Sequence, residues 1–209
     1  MINFKRSPEP DDFDSEVRKP GNKWLEENLN SPENKRPRPY WNEYEHKYVI
    51  KLKHAFKNLC AYSCMFLHDG QVDHFISVKL DKSKIYEWDN YRYATGWING
   101  KKLNLTGFLD PFEVQDGWFE VHIPSLQLII TDSIPHNFRA KAENTIQKLG
   151  LQKDKRIIDQ RENHLKSYLE KKISFEALME YAPLVAHAIR KLDKQTLDEL
   201  RNNYIKFQK

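Results

Sequence analysis

The chain has only two cysteines, Cys60 and Cys64, in 209 residues. Two thiols cannot supply the four ligands of a tetrahedral structural zinc, so no structural zinc is expected. Both read as reduced, partly buried thiols, because free cysteine packs as a small hydrophobe. No run of eighteen apolar residues occurs and the N-terminus carries no apolar h-region, so neither a membrane span nor a secretory signal is expected, and a cytoplasmic protein is. The seven glycines form no Gly-rich phosphate loop and no Gly-x-Ser-x-Gly element, which leaves Ser-His-Asp hydrolase chemistry without support. Internal repeats are absent. Net charge is small too: 34 basic residues stand against 30 acidic ones, a net +4 that permits nucleic-acid binding without arguing for it.

What is present is enough apolar material for a folded core, 39% of residues with 12% aromatic. Prolines and charge crowd residues 1–40, including Ser7-Pro8-Glu9-Pro10, Lys19-Pro20-Gly21, Ser31-Pro32 and Lys35-Arg36-Pro37-Arg38-Pro39. That density predicts an extended arm with one short helix near Asn22 to Asn28. From Trp41 to Leu59 the apolar positions 41, 44, 48, 49, 52, 55, 56 and 59 form a helical stripe, and Lys47, Lys51, Lys53 and Lys57 fall on the outer face. Such a face either tracks a nucleic-acid backbone or is simply solvated.

The block Cys60 to Lys102 holds the candidate active site. Ala61 to Leu67, a His68-Asp69-Gly70 turn and Gln71 to Phe75 read as a hairpin, and Tyr91 to Lys102 reads as a short helix. Asp73-His74, Asn90 and Asn99 lie within that block.

Cys-x-x-x-Cys, Val72-Asp73-His74-Phe75, Tyr86-Glu87-Trp88 before Asn90, and Asn99-x-x-Lys102 together resemble the HNH endonucleases, whose core is a ββα-metal finger. The resemblance implies His74 as the general base, Asn90 as the residue that orients it, and Asp73 with Asn99 as ligands of one Mg²⁺ or Mn²⁺. Arg92 and Lys102 are candidate contacts to the substrate phosphate. The residue types suit the chemistry: phosphodiester hydrolysis needs a deprotonated water and a cation on the phosphate oxygens, and hard oxygen donors hold Mg²⁺ with one or two carboxylates. Where many HNH proteins have a second Cys-x-x-Cys pair this chain has Thr95 and Ile98, and only His54 or His68 could complete a zinc site. Packing of Tyr62, Phe66, Phe75, Trp88, Tyr93 and Trp97 is expected to hold the finger instead.

Beyond the finger, Trp118 to Ile123 and Leu126 to Thr131 read as a second antiparallel hairpin and His136 to Leu151 as a helix. Three amphipathic segments follow: Lys155 to Lys171, Phe175 to Lys191 with a break or kink at Pro183, and Lys194 to Phe207, where Leu197, Leu200, Tyr204 and Ile205 form the apolar face. The KRSPEP and RKPG stretches, Leu109-Asp110-Pro111-Phe112 and the KAENTIQKLGL helix are similar to one bacterial branch of HNH proteins, the Septu-type or retron-associated nucleases. In that branch an arginine after the helix recurs, matched here by Arg156 or Arg161. The branch implies anti-phage defence, DNA as substrate and an ATPase partner subunit, with no membrane.

The fold class read from the sequence is α+β, an HNH finger embedded in a mainly helical domain with an additional small antiparallel hairpin. Its expected division is an arm over 1–40, a nuclease core over 41–151 and a helical region over 152–209. The competing reading is a nucleic-acid-binding or scaffold subunit with an inactive finger.

Overall fold

The computed structural model describes residues 1–28 and 35–206, without the side chains at 44, 45 and 204–206. Ser31-Pro32 and Phe207 lie outside the described residues, as do the side chains of Tyr204 and Ile205. Among the described residues the chain is α+β, with eight α-helices and two separate two-stranded antiparallel sheets. No described helix is long and apolar enough to cross a membrane. The backbone forms two compact units, one made of Lys5–Asn58 and His68–Thr106, the other of Met1–Phe4, Leu59–Leu67 and Gly107–Lys209. The segment from Lys5 thus belongs to the same unit as the candidate site, and residues 107–151 belong to the same unit as the C-terminal helices.

In the first unit the N-terminal segment carries the short helix expected near Asn22 to Asn28, and helix also precedes it, where an extended arm was expected. A π-helical turn, Asp14–Arg18, leads into α1 (Lys19–Asn28). The helix runs on without a break, the Lys19 amide closing the π turn onto the Asp14 carbonyl, so Pro20, which has no N–H to donate, stands at the junction of the two segments. Gly21 is required by close approach: a Cβ at this position would lie 2.4 Å from the Tyr86 ring, and Tyr86 is buried. Helix α2 (Glu43–Ala55) buries Tyr48 and Leu52. It stops short of the expected Leu59 because Lys57 and Asn58 adopt left-handed backbone, with φ of 54° and 58°. Three lysines of its outer face are engaged. Lys47 pairs with Asp12 and with Glu16 at 2.9 Å, Lys51 with Asp12 at 3.3 Å, and Lys53 donates to the His68 carbonyl at 2.7 Å.

Strand β1 (Gln71–His74) pairs antiparallel with β2 (Tyr91–Ala94), setting Asp73 opposite Arg92 and His74 opposite Tyr91. Helix α3 (Gly96–Lys102) follows at once, its start capped by the Thr95 hydroxyl, which accepts from the Ile98 amide at 3.3 Å. Two expectations are corrected here. Ala61 to Leu67 is not the partner of β1: the Cys64 amide closes a turn onto the Cys60 carbonyl at 2.9 Å, and only an isolated bridge joins Leu59 to Phe66. Tyr91–Ala94 is a strand and not helix, since all four residues are buried and the aromatic pair Tyr91 and Tyr93 suits a covered sheet. The Asp69-Gly70 turn is instead tied to β2, where the Tyr93 hydroxyl accepts from the Gly70 amide at 2.8 Å and donates to the His68 carbonyl at 3.3 Å.

In the second unit β3 (Phe119–His122) pairs with β4 (Gln127–Ile130), the hairpin that the alternation around them predicts. Then come α4 (His136–Lys148), α5 (Lys155–Leu169), α6 (Phe175–Tyr181), α7 (Pro183–Arg190) and α8 (Lys194–Lys206). Pro183 breaks the predicted single helix and opens α7 at a position where its missing N–H is harmless. Leu128, Leu149, Ile157, Leu165, Leu178 and Val185 are buried in this unit, and Leu197 and Leu200 are half-buried. Arg161 is fully buried and donates to the carbonyls of Leu126 at 2.7 Å and Leu151 at 3.2 Å, so it braces two chain segments. Arg156 forks onto Asp154 at 2.8 Å and 2.9 Å.

Candidate active site

Every predicted site residue lies in the first unit, on or beside the end of β1. Asp73 and His74 are the last two residues of that strand, Asn90 immediately precedes β2, and Asn99 and Lys102 are on α3. Sequence-local causes produce the arrangement. The β1–β2 register carries residue 90 to the end of β1, and the Thr95 cap starts a helix short enough that Lys102 is its last residue.

His74 is partly exposed, and its Nε2 lies 2.9 Å from the Ile85 carbonyl oxygen. A carbonyl can only accept, so Nε2 carries the proton and Nδ1 is left with a lone pair. The ring is walled by Trp41 and Tyr91, edge-on at 4.7 Å and 5.1 Å between centroids. This apolar surrounding pulls the imidazole pKa down to about 4, against smaller upward pulls from the Ile85 carbonyl and Asp73, so His74 is neutral at pH 7.

Asn90 is 5% exposed and uses both ends of its amide. Its Oδ1 accepts from the Ile76 amide at 2.7 Å, while Nδ2 donates to the carbonyls of Ile76 and Lys84, each at 2.9 Å. The Phe75 amide donates to the Asn90 carbonyl at 2.8 Å. The resemblance implies that Asn90 orients the histidine. The structure assigns it the chain on both sides of the ring: Ile76 is two residues beyond His74, and Lys84 precedes the carbonyl that holds Nε2.

Asp73 is 1% exposed and its Oδ1 lies 3.1 Å from the Lys102 ammonium, itself 1% exposed. Lys102 also donates to the His74 carbonyl and stands over the Phe75 ring at 5.9 Å. Asn99 is half-buried, and its Nδ2 donates to the Val72 carbonyl at 3.4 Å. Arg92 is 1% exposed, directs Nη1 at the carbonyls of Asp89 and Tyr91 at 2.7 Å and 2.8 Å, and stacks on Phe75. The two candidate phosphate contacts are thus both buried, Arg92 on backbone carbonyls and Lys102 on Asp73.

A hard cation needs oxygen donors, and a carboxylate with an amide oxygen is an adequate protein share for Mg²⁺, which keeps waters and takes phosphate oxygens. Asp73 and Asn99 fit in kind. Among the described residues no group of three or more His, Cys, Asp or Glu side chains is gathered to hold a metal. Cys60 and Cys64 are buried free thiols of the second unit, whereas His54 and His68 belong to the first.

Sequence reasoning missed what packs the site. Tyr62 and Phe66 belong to the second unit. The first unit relies on Phe13, fully buried, whose ring meets Tyr48, Trp88 and Tyr91 at 5.3, 5.5 and 5.7 Å. Also missed was a groove of about 580 Å³ bordered by Trp41, His46, Lys53, His68, Gln71 and Tyr93, one wall of which is the ring that abuts His74. No protein-family model, curated protein or solved structure matches the chain.

Proposed function

We propose that β1, β2 and α3 form an HNH-type finger and that the protein is a divalent-metal-dependent endonuclease hydrolysing phosphodiester bonds of DNA. One observation carries the reading: Asn90, from just before β2, and Asn99 and Lys102, from α3, bond to Ile76, Val72 and Asp73 respectively, the pair Asp73-His74 or residues flanking it. That is the gathering of residue types the chemistry requires.

The roles follow from the hydrogen bonds. With Nε2 held by Ile85, His74 takes a proton from water at Nδ1, and its lowered pKa keeps it in the base form throughout the physiological range, at the expense of some basicity. Asn90 keeps the ring in register by fixing Ile76 and Lys84. Asp73 and Asn99 would hold the divalent ion. When bound, such an ion supplies Lewis-acid polarisation of a phosphoryl oxygen and neutralises charge that develops there. The resemblance of the chain to one bacterial HNH branch adds a cytoplasmic role in anti-phage defence beside an ATPase partner.

The second reading, a nucleic-acid-binding subunit with an inactive finger, is favoured by the buried Asp73–Lys102 pair. The two are separated by incubating the purified protein with duplex DNA, single-stranded DNA and RNA in EDTA, Mg²⁺ or Mn²⁺. The nuclease reading expects DNA cleavage with Mg²⁺ or Mn²⁺ and none in EDTA. Binding without cleavage under all three conditions refutes it in favour of the second.

A further inference from the structure

Among the described residues six large apolar side chains stand exposed, and four of them sit in two short segments of the first unit: Ile76 and Leu80 just after β1, Leu103 and Leu105 just after α3. A hydrogen bond fastens the two segments together, from the Ser77 hydroxyl to Asn104 Oδ1 at 3.1 Å, so exposed aliphatics flank it at both ends. Both segments are pinned. The Asn90 side chain takes the amide and the carbonyl of Ile76, the Leu80 amide closes a turn onto the Ser77 carbonyl at 2.9 Å, and the Leu105 amide closes another onto the Lys102 carbonyl at 2.9 Å.

Leu103 is out of place for folding alone. Its backbone, with φ of 40° and ψ of −117°, lies in the positive-φ region that glycine adopts freely and leucine does not. At 65% exposure its side chain adds little to a core. A large aliphatic at a strained, solvent-facing position points to something outside the chain. Charge in the same segments narrows what that is. Lys79, Lys82 and Lys84 are exposed, and among the described residues none of the three is in an ion pair. Asp81, the one acid between Lys79 and Lys84, has Oδ1 on the Ser83 amide and hydroxyl at 2.9 Å and 2.6 Å. Exposed aliphatics beside unpaired cations suit a polyanion with an apolar interior, which is what stacked bases under a phosphate backbone present.

We propose, resting on the nuclease reading, that Leu103, with Ile76, Leu80 and Leu105 beside it, is a wedge that enters DNA between neighbouring base pairs and unstacks them next to the phosphate to be cut, while Lys79, Lys82 and Lys84 hold flanking phosphates. Position favours DNA over an anionic lipid surface: Ile76 is two residues beyond His74, and Leu103 directly follows Lys102, which bonds Asp73. The substrate class narrows accordingly. Unstacking a paired step costs free energy that a mismatched step has already lost, so duplex DNA with a mismatch or local opening is the preferred substrate.

The test uses duplexes with 2-aminopurine, which brightens when it leaves the base stack, either beside a single mismatch or in fully paired DNA. Binding is measured in EDTA for wild type, Leu103→Gly, Leu105→Ser and the triple variant Lys79→Gln, Lys82→Gln, Lys84→Gln, with folding checked by circular dichroism. Wild type should brighten the mismatched duplex severalfold and bind it about tenfold more tightly than the paired one. Leu103→Gly suits the local backbone, so it should fold, lose the brightening and bind the two duplexes within about twofold of each other. Leu105→Ser should weaken both effects, and the triple lysine variant should flatten the slope of log Kd against log salt by about 2 to 3. A bound mismatched duplex that does not brighten with wild type, or brightening that survives in folded Leu103→Gly, overturns the wedge; if the same wild-type protein cuts DNA in Mg²⁺ or Mn²⁺, the nuclease reading stands without it. Brightening lost in Leu103→Gly with no cleavage by wild type supports the wedge and removes the nuclease. No binding to either duplex overturns both. Leu103-dependent binding to phosphatidylserine vesicles, or a Leu103-dependent dimer in sedimentation, with no brightening of DNA, overturns the proposal and assigns the patch to lipid or to a second copy of the chain.

Discussion

Replacing Asn90 by alanine removes three hydrogen bonds from a side chain only 5% exposed: one accepted from the Ile76 amide, and two donated to the Ile76 and Lys84 carbonyls. At about 1 kcal/mol net for each bond, the loss is about 3 kcal/mol, with up to about 1 more if the stranded backbone groups stay dry. Urea denaturation of wild type and Asn90→Ala measures it directly. Function should fall as well, because the segment that ends at the Ile85 carbonyl would no longer hold the His74 ring. The metal concentration needed for half-maximal cleavage should stay put, since Asn90 bonds the chain and not the ion. In an Asn90→Ala background His74→Ala should have a smaller effect than in wild type, because the two residues act through one hydrogen-bonded chain. A stability loss under about 1 kcal/mol would refute the assignment of Asn90 as the clamp of this segment, since the three bonds predict about 1.5 kcal/mol at the least. A shifted metal titration would refute its separation from the ligands.

Three further outcomes follow from the same geometry. The His74 imidazole is held near a pKa of about 4 when folded and has its ordinary value of 6.5 when unfolded, so the unfolded chain binds more protons between those values and stability rises with pH across that window. Wild type should therefore lose up to about 3 kcal/mol more than His74→Gln as pH falls from 7 to 4, read from paired urea curves; parallel curves would refute it. Gly21→Ala would drive a methyl to 2.4 Å from the Tyr86 ring, and forced overpacking of this kind should lower stability by about 2 kcal/mol, measured by thermal denaturation; no loss would refute the close approach. Asn99→His replaces an oxygen donor by nitrogen, so cleavage should persist and its metal preference should move toward Ni²⁺ or Co²⁺ relative to Mg²⁺, scored by rates across a metal panel; an unchanged preference would remove Asn99 from the ligands.

How far the sequence could be read depended on whether an element is set by its own residues. The β3–β4 hairpin declares itself through the alternation of Trp118 to Ile123, and Pro183 fixes the boundary between α6 and α7 within one turn. Helix α4 starts at the predicted His136 and ends within three residues of the predicted Leu151. The partner of β1 could not be read in this way. The Asp69-Gly70 signal favours a local hairpin, whereas the pairing that forms joins Gln71–His74 to residues twenty positions away, with a buried Tyr-Arg-Tyr-Ala strand that composition alone leaves open between strand and helix. A better clue was available in Thr95-Gly96, which marks the helix start after residue 94. The site residues were nameable because motif spacing survives such errors: Asp73, His74, Asn90 and Asn99 keep their relative places whether residues 91 to 94 are strand or helix. The role of Lys102 was not legible. Its distance from Asp73 in sequence gives no hint that α3 would return its last side chain to the strand end and bury a charge pair there.

The central claim, that the residues at the end of β1 perform phosphodiester hydrolysis, is tested most directly by nicking of supercoiled plasmid in Mg²⁺ and Mn²⁺ with wild type and His74→Ala, alongside DNA affinity measured for both. Loss of the base at Nδ1 should lower the cleavage rate by about 10² to 10⁴ while DNA affinity stays within about twofold. A His74→Ala protein that cuts at the wild-type rate, or one whose cleavage falls only as far as its binding does, would contradict the account.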